Sequence, residues 1–168
     1  MKQGGARSNA FKCIITPPQG IVSGATLAGS KIEFTAKSAS LPDASIAPIE
    51  VMYRGRPVKF AGERTFQPWT VTLYNDNDFI VRDAFENWVN EISRADSTNG
   101  TLLPSAYQVD MEVYQLDRND KQLKKYIFRD AFPTTVSDIA LSWDANNQIQ
   151  EYSVTFEYNF WEAIKLGA

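Results

Sequence analysis

The sequence predicts a mainly β, antiparallel fold with one α-helix lying on a sheet, and three features predict it. Several stretches alternate apolar and polar residues, one stretch carries an apolar stripe at helical spacing, and Pro, Gly and Asn/Asp clusters separate them. The helical stretch closes residues 62–94, GERTFQPWTVTLYNDNDFIVRDAFENWVNEISR, which read as a sharp turn, a strand at 69–74, a polar cap at 75–78 and a helix at 78–94. Val81, Phe85, Trp88 and Ile92 follow one another at steps of four, three and four, while Arg82, Asp83, Glu86, Asn87 and Glu91 fill the other side. A helix with a single apolar stripe requires a sheet to cover, and the rest of the chain supplies strands.

Residues 1–10, MKQGGARSNA, are small and polar and read as a flexible arm that orders only against something else. Residues 11–168 are expected to form one domain, since 168 residues with 43% hydrophobic content suffice for one good core and are short for two. Residues 11–16 read as a short strand stopped by Pro17 and Pro18, and the glycine-bearing residues 19–30 as a loop. Residues 31–37, KIEFTAK, alternate Ile32, Phe34 and Ala36 against Lys31, Glu33, Thr35 and Lys37, the pattern of a half-buried strand. Residues 38–66 hold two short apolar runs, 49–53 and 57–61, joined by Arg54-Gly55-Arg56. They read as a protruding hairpin with a basic tip, and an isolated hairpin is marginal in water without a partner to pack on, so this excursion is a candidate contact arm.

After the helix, residues 96–100 (DSTNG) have loop chemistry. Residues 107–116 alternate Tyr107, Val109, Met111 and Val113 against Gln108, Asp110, Glu112 and Tyr114, and a turn at 117–120 leads into a strand at 123–132, which makes a hairpin. Beyond Pro133 come residues 139–143, a second turn at 144–147, and residues 148–160, which place Tyr152, Val154, Phe156, Tyr158 and Phe160 on one face. Read as one strand, 148–160 extends roughly 40 Å at about 3.3 Å per residue, against about 17–20 Å for an ordinary strand. Its other face is polar throughout, which suits a sheet that meets water along its length.

Composition excludes several classes of function. The 17 basic and 20 acidic residues give a net charge of -3, which argues against a groove that grips nucleic acid by phosphate neutralisation. Histidine is absent and Cys13 is the single cysteine, so intrachain disulfides, Cys/His zinc sites and His-dependent triads are unavailable. Cys13 sits in an apolar run and reads as a small core residue. The N-terminus has no apolar signal region, and no run reaches the ~18 apolar residues of a membrane span, so neither export of the usual kind nor membrane insertion is expected.

The run AGERTFQPWTVTLYND at 61–76, with the Phe85/Trp88 helix after it, resembles the tail tube protein family of contractile-tailed bacteriophages. The block FPTTVSDIALSWDANNQIQEYSVTFEYNFWE at 132–162 is similar to the C-terminal block of the same family, and SASLP at 38–42 falls where that family has its equivalent turn. The resemblance implies a β-sandwich or barrel subunit with one flanking α-helix, assembling as a homohexameric ring. In that family the rings stack into a hollow tube, and the inner sheets join into one multi-subunit barrel around a lumen. The secreted ring protein of type VI secretion and the tubes of contractile injection particles share the architecture. Implied partners are further copies of the chain, the tail sheath protein, a baseplate tube-initiator, and tape-measure and tail terminator proteins. Double-stranded DNA would pass through without specific binding. The implied location is the virion tail, assembled in the host cytoplasm. A tube subunit of a phage-derived injection particle, or a baseplate tube-initiator, fits the same resemblance.

With that resemblance, Glu151, Ser153, Thr155, Glu157 and Asn159 become candidates for a lumen lining, the alternative being an ordinary solvated face. Ile49, Val51, Tyr53, Arg54, Arg56, Val58 and Phe60 are candidates for contacts between rings or subunits, the alternative being a mobile surface hairpin. Val81, Phe85, Trp88 and Ile92 seal the core, the other side of the helix faces sheath or neighbour, and the GERTF turn is the hinge between wall and contact arm. Asp110 and Glu112 share a strand face and have the composition of a glycosidase pair, but no apolar setting raises either, and they read as solvated charges. Trp69, Trp143, Tyr152, Phe156 and Trp161 read as core rather than as a carbohydrate platform, although a monomeric carbohydrate-binding or hydrolytic β-sandwich is the alternative of a different class. No catalytic residue, metal site or cofactor is expected.

Overall fold

The structure is a computed structural model that describes residues 7–94, 103–144 and 148–165. In chain order its elements are β1 (Phe11–Ile14), α1 (Ala25–Thr35), β2 (Ala36–Ala39), β3 (Ala44–Tyr53), β4 (Arg56–Phe66), β5 (Trp69–Tyr74), α2 (Ile80–Ile92), α3 (Pro104–Tyr107), β6 (Val109–Leu116), β7 (Gln122–Val136), β8 (Glu151–Glu157) and β9 (Phe160–Lys165). Residues 1–6 of the expected arm, the loop at 96–100 and positions 145–147 of the second turn lie outside the described residues. The remainder of the arm is tied to β6: the Gln115 amide donates to the carbonyls of Arg7 and Ala10 at 2.8 Å each.

The strand β7, 15 residues long, organises the fold. Residues 124–129 pair with β9 on one flank and with β6 on the other, and residues 132–136 pair with β8. Two antiparallel sheets therefore share this strand, a first sheet β1-β6-β7-β9 and a second sheet β7-β8-β5-β2. The change of partner falls at Asp130, whose φ of 55° is a left-handed conformation that bends the strand. Pro133 lies within β7 rather than after its end. It pairs opposite Phe156 next to a register shift, on a stretch with a strand on one side only, which a residue lacking an N–H tolerates.

Buried side chains from both sheets and from α1 and α2 form one cluster. On the second sheet it contains Trp69, Val71 and Leu73 from β5 and Tyr152, Val154 and Phe156 from β8. The helix α2 rests on it through Phe85, whose ring meets Phe156 edge-on at 5.8 Å, and through Trp88 at 6.4 Å. The Trp88 indole donates to the Tyr107 carbonyl at 2.9 Å, so α3 satisfies the one polar atom this side chain carries inward. The architecture is the expected mainly β antiparallel sandwich, and among the described residues no sheet closes into a barrel.

Four elements differ from the sequence reading. Residues 19–30 and 31–37 are not a loop and a strand: α1 occupies 25–35 and only Ala36–Ala39 is extended. Its buried stripe is Ala25, Ala28 and Ile32, too small to stand out against the alternation of 31–37, and Phe34 is left 84% exposed. Ion pairs hold it in place, Lys31 to Asp76 at 2.7 Å and to Asp78 at 2.9 Å, and Lys12 to Glu33 at 2.7 Å. Among the described residues there are thus three helices rather than one. The polar cap at 75–78 accordingly serves Lys31, while the N-cap position of α2 is Phe79 with φ 55° and no side-chain cap.

The GERTF segment is not a turn or a hinge but part of β4. A Cβ on Gly62 would stand 2.4 Å from the Ala47 carbonyl oxygen, beside the register shift at Ile46/Pro48, so glycine is there to let two backbones approach. Residues 148–160 are not one strand, since β8 ends at Glu157 and β9 begins at Phe160. The Asn159 N–H donates to the Arg129 carbonyl at 3.1 Å and its amide to Asp130 at 2.9 Å, which transfers the chain from the second sheet to the first. The alternation of residue types runs unbroken across this transfer, which hides it in the sequence, and Phe160 emerges 42% exposed. Tyr107, read as the start of a strand, belongs to α3.

Candidate assembly interface

The second sheet carries the first candidate surface. With Tyr152, Val154 and Phe156 buried, the pleat of β8 turns Glu151, Ser153, Thr155 and Glu157 to the opposite face. The register sets Thr70 beside Thr155 and Thr72 beside Ser153 on β5, and Ser38 of β2 beside Thr72. The hydroxyls of Thr70 and Thr155 are 3.1 Å apart, and Thr134 donates to the Thr155 carbonyl at 3.2 Å. The face is thus mostly hydroxyls. The threonines of the WTVTLY run carry the same alternation and were the signal for β5 that the reading of β8 alone leaves out.

Its charge is smaller than the carboxylates suggest. The Lys37 ammonium sits 2.5 Å from Glu151 and 5.5 Å from the centre of the Tyr74 ring. Its hydrogen bond to Glu151 raises the Lys37 pKa above the ordinary lysine value, so the cation is held against the carboxylate. Asn159, placed with these residues by alternation, lies past the strand end and engages Asp130 instead.

The hairpin β3-β4 is the second candidate surface. It forms its own two-stranded sheet, in which Ile49 faces Phe60, Val51 faces Val58 and Tyr53 faces Arg56. All seven contact candidates therefore lie on one face of the hairpin or at its tip, and all are exposed. On the other face Glu50 and Lys59 form an ion pair at 3.1 Å. The tip is a two-residue turn with φ of 49° at Arg54 and 79° at Gly55, a pair of left-handed residues that matches the twist of the flanking strands. Neither face of the hairpin is covered by the rest of the chain except at its base, where Phe66 meets Tyr158 at 6.0 Å.

The helix candidates behave differently from one another. Val81, Phe85 and Trp88 are buried, Ala84 joins them, and Ile92 is only partly covered at the helix end. On the outer side Arg82 pairs with Glu86 at 2.6 Å and also donates to the Ser137 carbonyl.

Asp110 and Glu112 are engaged by cations rather than poised for chemistry. Asp110 pairs with Arg129, while Glu112 is held by Lys125 and by the Tyr114 hydroxyl, each at 2.5 Å. Of the five aromatics read as core, Trp69, Tyr152 and Phe156 are buried and Trp161 is partly so, but Trp143 is fully exposed on the segment after β7. Among the described residues that segment adds no strand to either sheet, and none of them covers the indole. Burial pushes the Cys13 thiol up to about 12, the behaviour of a core residue. Among the described residues no group of acidic and cysteine side chains is placed to hold a metal, and no helix is long and apolar enough to cross a membrane.

Comparison with known proteins finds one family. The model of the phage tail tube protein family matches residues 6–164. The tail tube protein gp19 of Enterobacteria phage T4 is 33% identical over 135 residues, spanning 80% of this chain and 83% of that protein. A chain of the anti-feeding prophage (AFP) baseplate has the same fold, with a TM-score of 0.68 at 11% identity over 96% of this chain and 97% of that one. A chain of the PVC sheath-tube complex, an extracellular contractile injection system in its extended state, gives a TM-score of 0.61 at 16% identity over 96% and 93%.

Proposed function

Since this chain belongs to the phage tail tube protein family, a family of structural proteins and not of enzymes, we propose that it assembles into hexameric rings that stack as the inner tube of a contractile tail. The ejected genome passes through the lumen of this tube. The second sheet lines the lumen with its hydroxyl face, and α2 lies on the far side of the wall, where its polar flank meets the sheath or a neighbour. The observation that carries this reading is the asymmetry of the sheet. One face is sealed by a core, while the other offers hydroxyls, a lysine already bound by Glu151, and the carboxylate of Glu157. Such a wall gives phosphate no free cation to grip, so a moving duplex slides past it.

Among the described residues the sheet also has two open edges, β2 at one end and residues 132–136 of β7 at the other. Pairing these edges from subunit to subunit joins the sheets into one barrel and removes the hazard of unpaired strands. Further partners are the sheath, a baseplate tube-initiator, tape-measure and terminator proteins, with assembly in the host cytoplasm.

Size-exclusion chromatography with negative-stain microscopy tests the assembly, because this reading requires rings or tubes of six-fold symmetry and monomers would refute it. For the lumen, Glu151→Lys with Glu157→Lys is expected to leave rings intact and to slow or block genome passage. Normal infectivity of particles carrying both changes would refute the lumen assignment. DNA within purified particles separates a genome conduit from the tube of an injection particle.

A further inference from the structure

Resting on the tube reading, we infer that the outward face of α1 in one copy docks on α3 of the neighbouring copy in the same ring, Leu27 and Phe34 against Leu103 and Pro104. The contact is a second layer of the seam, behind the joined strands.

Burial in α1 runs opposite to residue size. Ala25 and Ala28 face the core, whereas Leu27 and Phe34 are 54% and 84% exposed. The inner side has to be small, because a Cβ at Gly29 would stand 3.3 Å from the Ile15 carbonyl oxygen and the helix seats directly on that backbone. Leu27 and Phe34 lie seven residues apart in the chain, within about 20° of two full turns, so they share one outward stripe. Among the described residues nothing covers that stripe, and the isolated subunit gains no burial from it.

The topology says what meets it. On the core side of the second sheet the helices follow the order of the strands. The helix α1 runs straight into β2, Thr35 to Ala36, and packs on α2. In turn α2 covers β8 through Phe85 and Trp88. Behind β7 lies α3, with the Tyr107 ring edge-on to Phe132 at 5.6 Å and the Tyr107 carbonyl accepting from Trp88. A layer α1-α2-α3 thus backs the strands β2-β5-β8-β7 from one open edge to the other. When β2 of one copy pairs with residues 132–136 of the next, α1 comes against α3 of that copy, on the side away from the hydroxyl face.

The side chains there match. Leu103, at the N-cap position of α3, is 68% exposed, and Pro104 is exposed beside it. Apolar groups bare in the subunit bury one another in the ring. They also reinforce a short seam, since β2 offers only four residues for pairing. The contact joins unlike surfaces, and rotation about the tube axis closes it into a ring.

Cysteine pairs test it in the assembled protein, where Cys13 is buried. An equal mixture of Phe34→Cys and Leu103→Cys chains, treated with a short thiol-to-thiol linker, is expected to give a covalent dimer containing one of each. Either variant alone stays monomeric on a denaturing gel. A chain carrying both should give a ladder that ends at the hexamer, the mark of a closed ring rather than a stack. Leu27→Cys with Pro104→Cys is a second pair, should the first hold its thiols apart. Alkylation of Phe34→Cys alone should be about tenfold or more slower in sheathless tubes than in the unassembled chain. Phe34→Ser, at an exposed site, should keep the urea midpoint of the unassembled chain and lower ring yield by about tenfold or more. Rings that give no link from either pair, an unchanged ring yield in Phe34→Ser, or equally fast alkylation in tubes overturn this contact and leave the tube reading in place. So does a thiol already protected in the unassembled chain, or one protected only once the sheath is present. If the unmodified chain forms no rings or tubes, the tube reading falls and this inference falls with it.

Discussion

Replacing Phe156 by alanine tests which face of the second sheet is core. The ring is fully buried, with its centre 5.8 Å from Trp69, 5.8 Å from Phe85 and 6.4 Å from Trp88, so it joins the sheet to α2. Removing a buried phenyl ring costs about 3–5 kcal/mol through lost transfer energy and the cavity left behind. Three aromatic neighbours with rigid rings collapse poorly into that cavity, which places the loss in the upper half of the range, about 4–5 kcal/mol. Against a total stability of about 5–15 kcal/mol this is about a quarter or more of what holds the subunit together. Phe156→Leu keeps most of the volume and should cost less than about 1.5 kcal/mol. Thr155→Ala, one residue away on the hydroxyl face, removes the contact to Thr70 and should cost about 0.2–1 kcal/mol. Urea unfolding followed by tryptophan fluorescence, at a concentration where sedimentation finds a single species, orders the three. A loss below about 1 kcal/mol for Phe156→Ala, or one no larger than that of Thr155→Ala, would refute the assignment of faces.

Three further changes probe other parts of the fold. Gly62→Ala puts a methyl group against the Ala47 carbonyl and should splay the base of the hairpin, seen as faster amide exchange in β3 and β4 with the core signals unchanged; unchanged exchange there would show that the backbones can part freely. The Tyr152 hydroxyl is buried without a hydrogen-bond partner among the described residues, and burial raises its pKa, so Tyr152→Phe should be neutral or stabilising by about 1 kcal/mol. A clear loss of stability in that variant would mean the hydroxyl is satisfied after all. At Glu112, burial alone would raise the pKa, but the bonds from Lys125 and Tyr114 outweigh it and hold the carboxyl below the ordinary glutamate range. A depressed folded-state pKa means that this stability is fully present above the unfolded value near about 4.3 and is lost as pH falls through the folded value. Glu112→Gln should therefore flatten the acid limb of a urea midpoint measured from neutral pH downward, and an unchanged acid slope would count against the ion pair.

Much of the fold was legible because its signals are local. The strand at 69–74 and the stripe Val81, Phe85 and Trp88 announce themselves by period alone, since burial of one face forces large apolar residues to recur at that period. The hairpin was legible from its turn, because Arg54-Gly55 supplies a left-handed pair between two extended runs. Its contact candidates fall on one face for the same reason. The elements that escaped are those whose local signal is ambiguous. In α1 the stripe is alanine, so the alternation of 31–37 outweighs it on paper. What the local pattern does not record is that Ala25, Ala28 and Ile32 of the helix are buried in the core, with Lys31 adding ion pairs to carboxylates 45 and 47 residues away.

Sequence by itself determined the class of fold, the family, the absence of histidine and of intrachain disulfide chemistry, and which side chains of β8 and α2 point inward. Each of these is a property of residue type and spacing. Tertiary structure decided where β8 gives way to β9, that β7 serves two sheets, that Trp143 lies in the open, and that Lys37 offsets Glu151 on the hydroxyl face. Those outcomes rest on contacts between residues far apart in the chain, such as Asn159 with Asp130, and no local period records which distant partner a side chain will meet.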